Sequence, residues 1–237
     1  MATPTIAIVV PVLGDTAALS ALTERIHRWT TQPAELIVVS AGPDAPLRAL
    51  CLERGCRYLE SVARRGTQLD QGAKEATASI LWFLHADAEP HAASLEAIAH
   101  AVETGAEGGY FSFKFAGGRT WWKRLLERLT NLRTHLGGIP YGDQGIFARR
   151  DAYHEAGGFA HQALFEEVAL VKNLRARGHF RALTLPIGVA PRRWERDGWC
   201  YRSLTNRSLA IRYLLGTPAE RLAERYKGMA VTDRSAH

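Results

Sequence analysis

Two rhythms of apolar and polar positions run along this chain. In its first half, short apolar stretches of strand length recur: Thr5 to Leu13 (TIAIVVPVL), Glu35 to Val39 (ELIVV) and Ile80 to Leu84 (ILWFL). Continuous β-branched and apolar runs of this kind read as parallel strands buried on both faces. Arg57 to Ser61 reads as a further short strand. Between them lie helical patterns. Thr16 to Trp29 places Leu19, Leu22, Ile26 and Trp29 on one stripe. Leu47 to Arg54 ends as a helix at Gly55, and Gln68 to Ala78 follows the basic glycine turn Arg64–Thr67. Strand and helix alternating in this way predict an α/β architecture: a Rossmann-like, mostly parallel central sheet flanked by helices.

The rhythm changes after a helix over Ala92–Thr104. Gly108 to Phe115 (GGYFSFKF) alternates aromatic residues and predicts an antiparallel or mixed strand. Arg119 to Leu136 is strongly amphipathic, with Trp121, Trp122, Leu125, Leu126, Leu129, Leu132 and Leu136 set against Lys123, Arg124, Arg128 and Arg133. A glycine-bounded loop with room for a strand covers Gly137–Arg149, and a helix starts near Asp151. Phe165–Arg177 reads as a helix opening on Glu166 and Glu167, Phe180–Val189 as a late strand, and Trp199–Leu215 as a second basic, aromatic helix. Lys227–His237 is expected to be a loose tail. One domain over 1–226 is expected, with halves at about 1–118 and 119–226.

Candidate chemistry concentrates in Ser79–Pro90 (SILWFLHADAEP). An apolar strand there gives way to His85, Asp87 and Glu89, and Pro90 prevents the ladder from continuing. A carboxylate at the carboxyl end of a buried strand stands where open α/β sheets bind ligands. Asp87, with His85 beside it, suits a divalent cation bridging a diphosphate. A turn carboxylate capping the next helix suits the same position.

Composition narrows the partner. Of the 237 residues, 46% are hydrophobic and 23% charged, and no run approaches the ~18 apolar residues of a membrane span. The N-terminal stretch has no basic region, so no signal peptide is expected. Cys51, Cys56 and Cys200 lack metal-ligand spacing and are expected as free thiols of a reducing cytoplasm. The net charge of +6 is uneven: residues 1–118 hold 9 Lys and Arg against 13 Asp and Glu, and residues 119–237 hold 21 against 11. The second half therefore favours an anionic partner, and no nucleic-acid motif accompanies it. The helices at 119–136 and 199–215 have the composition of interfacial helices, suiting a lipid acceptor and peripheral contact with the inner membrane face. Their apolar faces equally suit packing together or a homodimer.

The ordered motifs PVLGD, VVSAGPD, RRGTQLDQGA, LWFLHAD, YGDQGIF, GGF followed by LFEEVAL, and RRWERDG resemble family 2 glycosyltransferases. The likeness runs from Ile6 to about Tyr226. It is strongest to a small bacterial branch found near radical-SAM and selenium- or arsenic-related genes. It implies the A-type glycosyltransferase fold and a metal-dependent inverting transfer from a nucleotide sugar, most often a UDP-sugar, to an acceptor nucleophile. The cytoplasmic character of that branch makes this a small-molecule acceptor in place of the lipid acceptor the two helices suit.

On this resemblance Asp87 binds Mn²⁺ or Mg²⁺ and His85 lines the same site. Pro11 and Val12 present backbone to the nucleotide, with Arg65, Gln68 and Gly72 near its ribose and phosphates. Glu167 is the catalytic base with Glu166 beside it, Asp143 and Gln144 contact a sugar, and Arg192, Arg193 and Trp194 close over the diphosphate. The chain departs from the family where Ser40 replaces the usual base-contacting Asp, with Asp44 as a substitute. It departs again where Ala169 replaces an acidic residue, and where Gly14-Asp15 replaces Asn-Glu. A catalytically weak relative that binds a nucleotide or protein partner is the competing implication.

Overall fold

The structure is a computed structural model that describes residues 4–231. Its eight strands form one sheet in the order β3-β2-β1-β4-β7-β6-β8-β5. The first part follows the predicted alternation: β1 (Ile6–Val12), α1 (Thr16–His27), β2 (Glu35–Ala41), α2 (Ala45–Glu53), β3 (Arg57–Ser61), α3 (Arg65–Glu75) and β4 (Ile80–Phe83). β1 to β4 are mutually parallel, with Val12 of β1 beside Ser40 of β2 and Ile8 beside Trp82 of β4.

Strand alternation divides the core into two layers. Ile6, Ile8 and Val10 pack towards Leu19, Leu22 and Ile26 of α1, whereas Ala7 and Val9 pack towards Leu69 and Ala73 of α3. α1 and α3 therefore cover opposite faces, and the crevice at the carboxyl ends of β1 and β4 is a topological switch point.

Beyond β4 come β5 (Ala88–Glu89), α4 (Ser94–Glu103), β6 (Gly108–Phe115), α5 (Trp121–His135), a 3-10 turn at Gly142–Gln144, β7 (Phe147–Arg149), α6 (Arg150–Glu155), α7 (Glu167–Ala176), β8 (Phe180–Val189), α8 (Arg192–Asp197), α9 (Trp199–Leu214) and α10 (Ala219–Val231). β6 is mixed: it runs antiparallel to β7 and parallel to β8.

Several expectations are corrected. After β4 the chain turns over His85–Ala88, and the unforeseen short strand β5 pairs antiparallel with Val189 and Gly188 of β8 before pairing stops at Pro90. Arg65 to Thr67 are the first turn of α3, not a free turn. α10 runs to Val231, past the start of the expected loose tail, and residues 232–237 lie outside those described. Cys51 and Cys56 are buried, Cys200 is exposed, and all three are free thiols. No helix among the described residues is long and apolar enough to cross a membrane.

Candidate active site

The loop after β4 carries His85 and Asp87 into a cavity of about 400 Å³ at the carboxyl edge of the sheet. The 3-10 turn contributes Asp143, the start of α7 contributes Glu167, and α3 contributes Arg65. Arg192, Arg193 and Trp194 of α8 form the far wall. Eight predicted site residues are thus brought together from five separate parts of the chain. Asp87 makes no hydrogen bond or ion pair among the described residues, and α4, with Ala93 at its N-cap, has no side-chain cap. The capping role is excluded, and the carboxylate is free to face a ligand.

Electrostatics separate the acids. Burial, then the neighbouring Glu166 carboxylate, pushes Glu167 from the usual 4.5 up to about 8, with Arg65 acting in the other direction. Its Oε2 is buried without a partner. Burial lifts Asp143 to about 6, opposed by the cations of Arg65 and Arg133. His85 is driven down to about 3 by burial and then by Arg65 and Arg193, so its ring is neutral at pH 7. Its Nε2 also lacks a partner, and a Cβ added to Gly142 would come within 2.9 Å of it.

Glu166 lies beside Glu167 but does not reach the cavity. Its buried carboxylate pairs with Arg65 Nε, and it is absent from the cavity wall. Burial opposes the Arg65 charge, but Glu166 more than offsets it and keeps the guanidinium cationic. Gln144 likewise turns away from the expected sugar. It is fully buried, and its Nε2 donates to the carbonyl of Phe111 at 3.2 Å.

Two expected nucleotide contacts are structural in part. Gln68 is buried and its Nε2 donates to the carbonyls of Val12 (3.1 Å) and Val39 (2.7 Å), tying together the ends of β1 and β2. Gly72 lets α3 approach the sheet, since a Cβ there would lie 2.4 Å from Val9 Cγ1. Pro11, Val12 and the buried Ser40 line up at the neighbouring strand ends, outside the cavity wall. Asp44 does not stand in for the missing base contact, because its Oδ1 caps α2 through the amide of Leu47 at 2.9 Å. Ala169 is exposed on α7, so that departure from the family pattern leaves the cavity untouched.

Sequence reasoning missed several wall residues. Asp15 caps α1 with Oδ1 and holds Oδ2 3.7 Å from Arg192. Tyr226 of α10 accepts a hydrogen bond from Arg193 at 3.0 Å and another from the buried Arg202. Phe165 has φ of 61°, the one positive value at a non-glycine residue among those described, and stacks on Tyr213 with ring centres 4.7 Å apart. Nothing local in the sequence marks that backbone.

A mostly parallel sheet of this order, with a strand-end acid facing an acidic helix start, is the A-type glycosyltransferase fold. The family model for glycosyl transferase family 2 matches residues 7–170, and the chain belongs to that family. It is a nucleotide-sugar-dependent glycosyltransferase.

The fold is similar to that of glucosyl-3-phosphoglycerate synthase from Mycobacterium tuberculosis. Its complex with phosphoglyceric acid is 20% identical, with a TM-score of 0.59 over 77% of this chain and 70% of that one. A complex with Mn²⁺, UDP and glucosyl-3-phosphoglycerate is 19% identical, with the same score and coverage. A complex with Mg²⁺ and UDP is 19% identical at a TM-score of 0.58, again covering 77% and 70%. The comparison with curated proteins returned no match.

Proposed function

We propose that this protein transfers a sugar from a UDP-sugar to an acceptor nucleophile with inversion at the anomeric carbon. The observation that carries the reading is the meeting of Asp87, Arg65, Arg193 and Glu167 on one cavity at the switch point of the sheet. Its polar side takes a diphosphate, and its buried carboxyl takes a proton.

Unpartnered Asp87 and the orphaned Nε2 of His85 fit a divalent cation, completed by diphosphate oxygens. Mn²⁺ or Mg²⁺ bound there supplies a Lewis acid for the charge of the departing diphosphate. The similar synthase is known with both ions and UDP, which supports the choice. The pyrimidine is assigned to the ends of β1 and β2, where Val12 and Ser40 offer backbone groups and a hydroxyl. Arg65 and Arg193 pair with phosphate oxygens, a geometry that guanidinium groups suit well.

Glu167 Oε2 accepts the proton of the acceptor as the new bond to the anomeric carbon forms. The bond from that carbon to the diphosphate oxygen breaks, and UDP leaves with the electron pair. Asp143, beside Glu167, orients the acceptor or the sugar hydroxyls. One base and one displacement give inversion.

The test is calorimetric titration with UDP, GDP and their sugar conjugates, with Mn²⁺ and with chelator, followed by NMR of the product anomeric proton. Metal-dependent binding of UDP and an inverted product are expected. Absence of metal-dependent binding for every nucleotide would overturn the reading. Binding without transfer would leave a nucleotide-binding module.

A further inference from the structure

Beside the candidate catalytic cavity lies a second one of about 680 Å³ between α5, α9 and β6. Phe113, Phe115, Leu126, Leu129, Ile139 and Ile211 give it an apolar lining. The two spaces adjoin: Tyr141, Asp143, Phe165, Trp194 and Asn206 belong to the walls of both. Phe165, in its left-handed backbone conformation and stacked on Tyr213, is the partition between them. A nucleotide sugar has no apolar part of this size, which leaves the second cavity open to a different ligand.

The outside of the same two helices is also apolar. Trp121 is 73% exposed, Leu136 74%, Leu204 66% and Leu215 80%. Exposed arginines flank them: Arg124 and Arg128 on α5, Arg207 and Arg212 on α9. Acidic counterparts are scarce. α9 contains none, and the one on α5, Glu127, is engaged by the amide of Phe115 and by Arg119. A second copy of the chain would bring like charges face to face. An anionic lipid surface would meet the arginines with opposite charge and the Trp and Leu side chains with acyl chains.

We propose that the acceptor is a membrane amphiphile. Its long apolar chain lies in the cleft between α5 and α9, its polar head reaches Asp143 and Glu167, and the outer faces of both helices rest in an anionic leaflet. This rests on the assignment of Glu167 as the base on the acceptor side.

The test has two arms, each run beside metal-dependent UDP binding as the independent reading of the donor site. In the first, protein is floated with vesicles of phosphatidylglycerol and phosphatidylcholine, and with phosphatidylcholine alone. Flotation only with the anionic vesicles is expected, and Leu125→Glu with Leu204→Glu should weaken it roughly tenfold or more while UDP binding is retained. In the second, decyl phosphate below its micellar concentration is titrated against inorganic phosphate. Decyl phosphate should bind roughly tenfold or more tightly, and Ala210→Phe, which fills the cleft, should remove the difference.

Equal affinity for the two phosphates overturns the proposal. So does a stable dimer in light scattering that the double variant splits, with no flotation of the unmodified protein. Failure of UDP binding in the unmodified protein would instead strike the donor assignment, whatever the vesicles do.

Discussion

Arg65, the first residue of α3, is paired with Glu166, 101 positions later at the entrance of α7. The pair clamps α3 to the start of α7 at the wall of the cavity. It also sets two charges at once. Glu166 keeps Arg65 cationic towards the diphosphate and raises the carboxyl of Glu167 beside it. Glu166 is thus a positioning residue whose effects reach the base through charge.

Replacing Glu166 by Gln should therefore change more than the rate. The turnover should fall roughly tenfold to a hundredfold, because Arg65 loses its fixed orientation. The pH profile is the diagnostic. With the negative neighbour gone, the rise in kcat/KM should move to lower pH, since the remaining Arg65 cation favours ionised Glu167. An unmoved profile would reduce Glu166 to a scaffold role. Stability should fall as well, because Glu166 is only 2% exposed and the substitution leaves the Arg65 cation without its buried partner.

Glu167 itself should show as the ascending, acid-side limb of the pH profile. Its carboxyl holds a proton below about 8, so kcat/KM should climb as pH rises through that value. Glu167→Gln should lose about a hundredfold to ten-thousandfold in rate. Stability should respond in the opposite sense. The folded state keeps the proton longer than the unfolded chain, so the protein loses stability as pH rises from the usual 4.5 to about 8. The Gln variant lacks that slope. Thermal melts of both proteins at pH 5 and pH 9 should show the variant gaining on the parent at high pH.

Asp87→Ala separates binding from folding. The carboxylate makes no contact in the protein, so its loss should change stability by less than about 0.5 kcal/mol. UDP affinity in the presence of Mn²⁺ should drop to the value seen with chelator. Retained metal enhancement in the variant would remove Asp87 from the metal site.

Much of this arrangement was legible in the sequence, and what was hidden shares a physical cause. The strand–helix alternation, the HAD loop and the acidic start of α7 are local patterns, and each appears where its periodicity or polarity change put it. Asp143 and Gln144 are adjacent in one 3-10 turn, and only packing against Phe111 sends Gln144 inward. β5 is two residues long and exists because β8 lies beside it. α8, with the sequence RRWERD, has no buried residue and hence no apolar period to read. Phe165 is an aromatic residue in a backbone conformation that glycine or asparagine would announce. Gln68 and Gly72 carried a motif resemblance whose structural share, tying and packing the strands, depends on contacts with Val9, Val12 and Val39.

Gly66 offers the sharpest test that the clamp behind the cavity is tight. It lies one residue after Arg65, where α3 meets the loop leading to α7. A Cβ at this position would stand 2.1 Å from the carbonyl oxygen of Ala160 and 3.0 Å from Cβ of Glu166. The first contact is with backbone, which cannot rotate away as a flexible side chain can. That carbonyl belongs to a residue whose own amide donates to the carbonyl of Glu166 at 3.0 Å, so displacement passes straight to the start of α7. Gly66→Ala should cost about 1–3 kcal/mol by overpacking, read from denaturant midpoints. It should also lower turnover more than UDP affinity, because the shift falls on Glu166 and Glu167 while Asp87 stays on its own loop. Equal losses in both would mean that the displaced loop also shapes the diphosphate side. Wild-type turnover in a variant destabilised by this amount would show that the loop gives way without carrying the base with it.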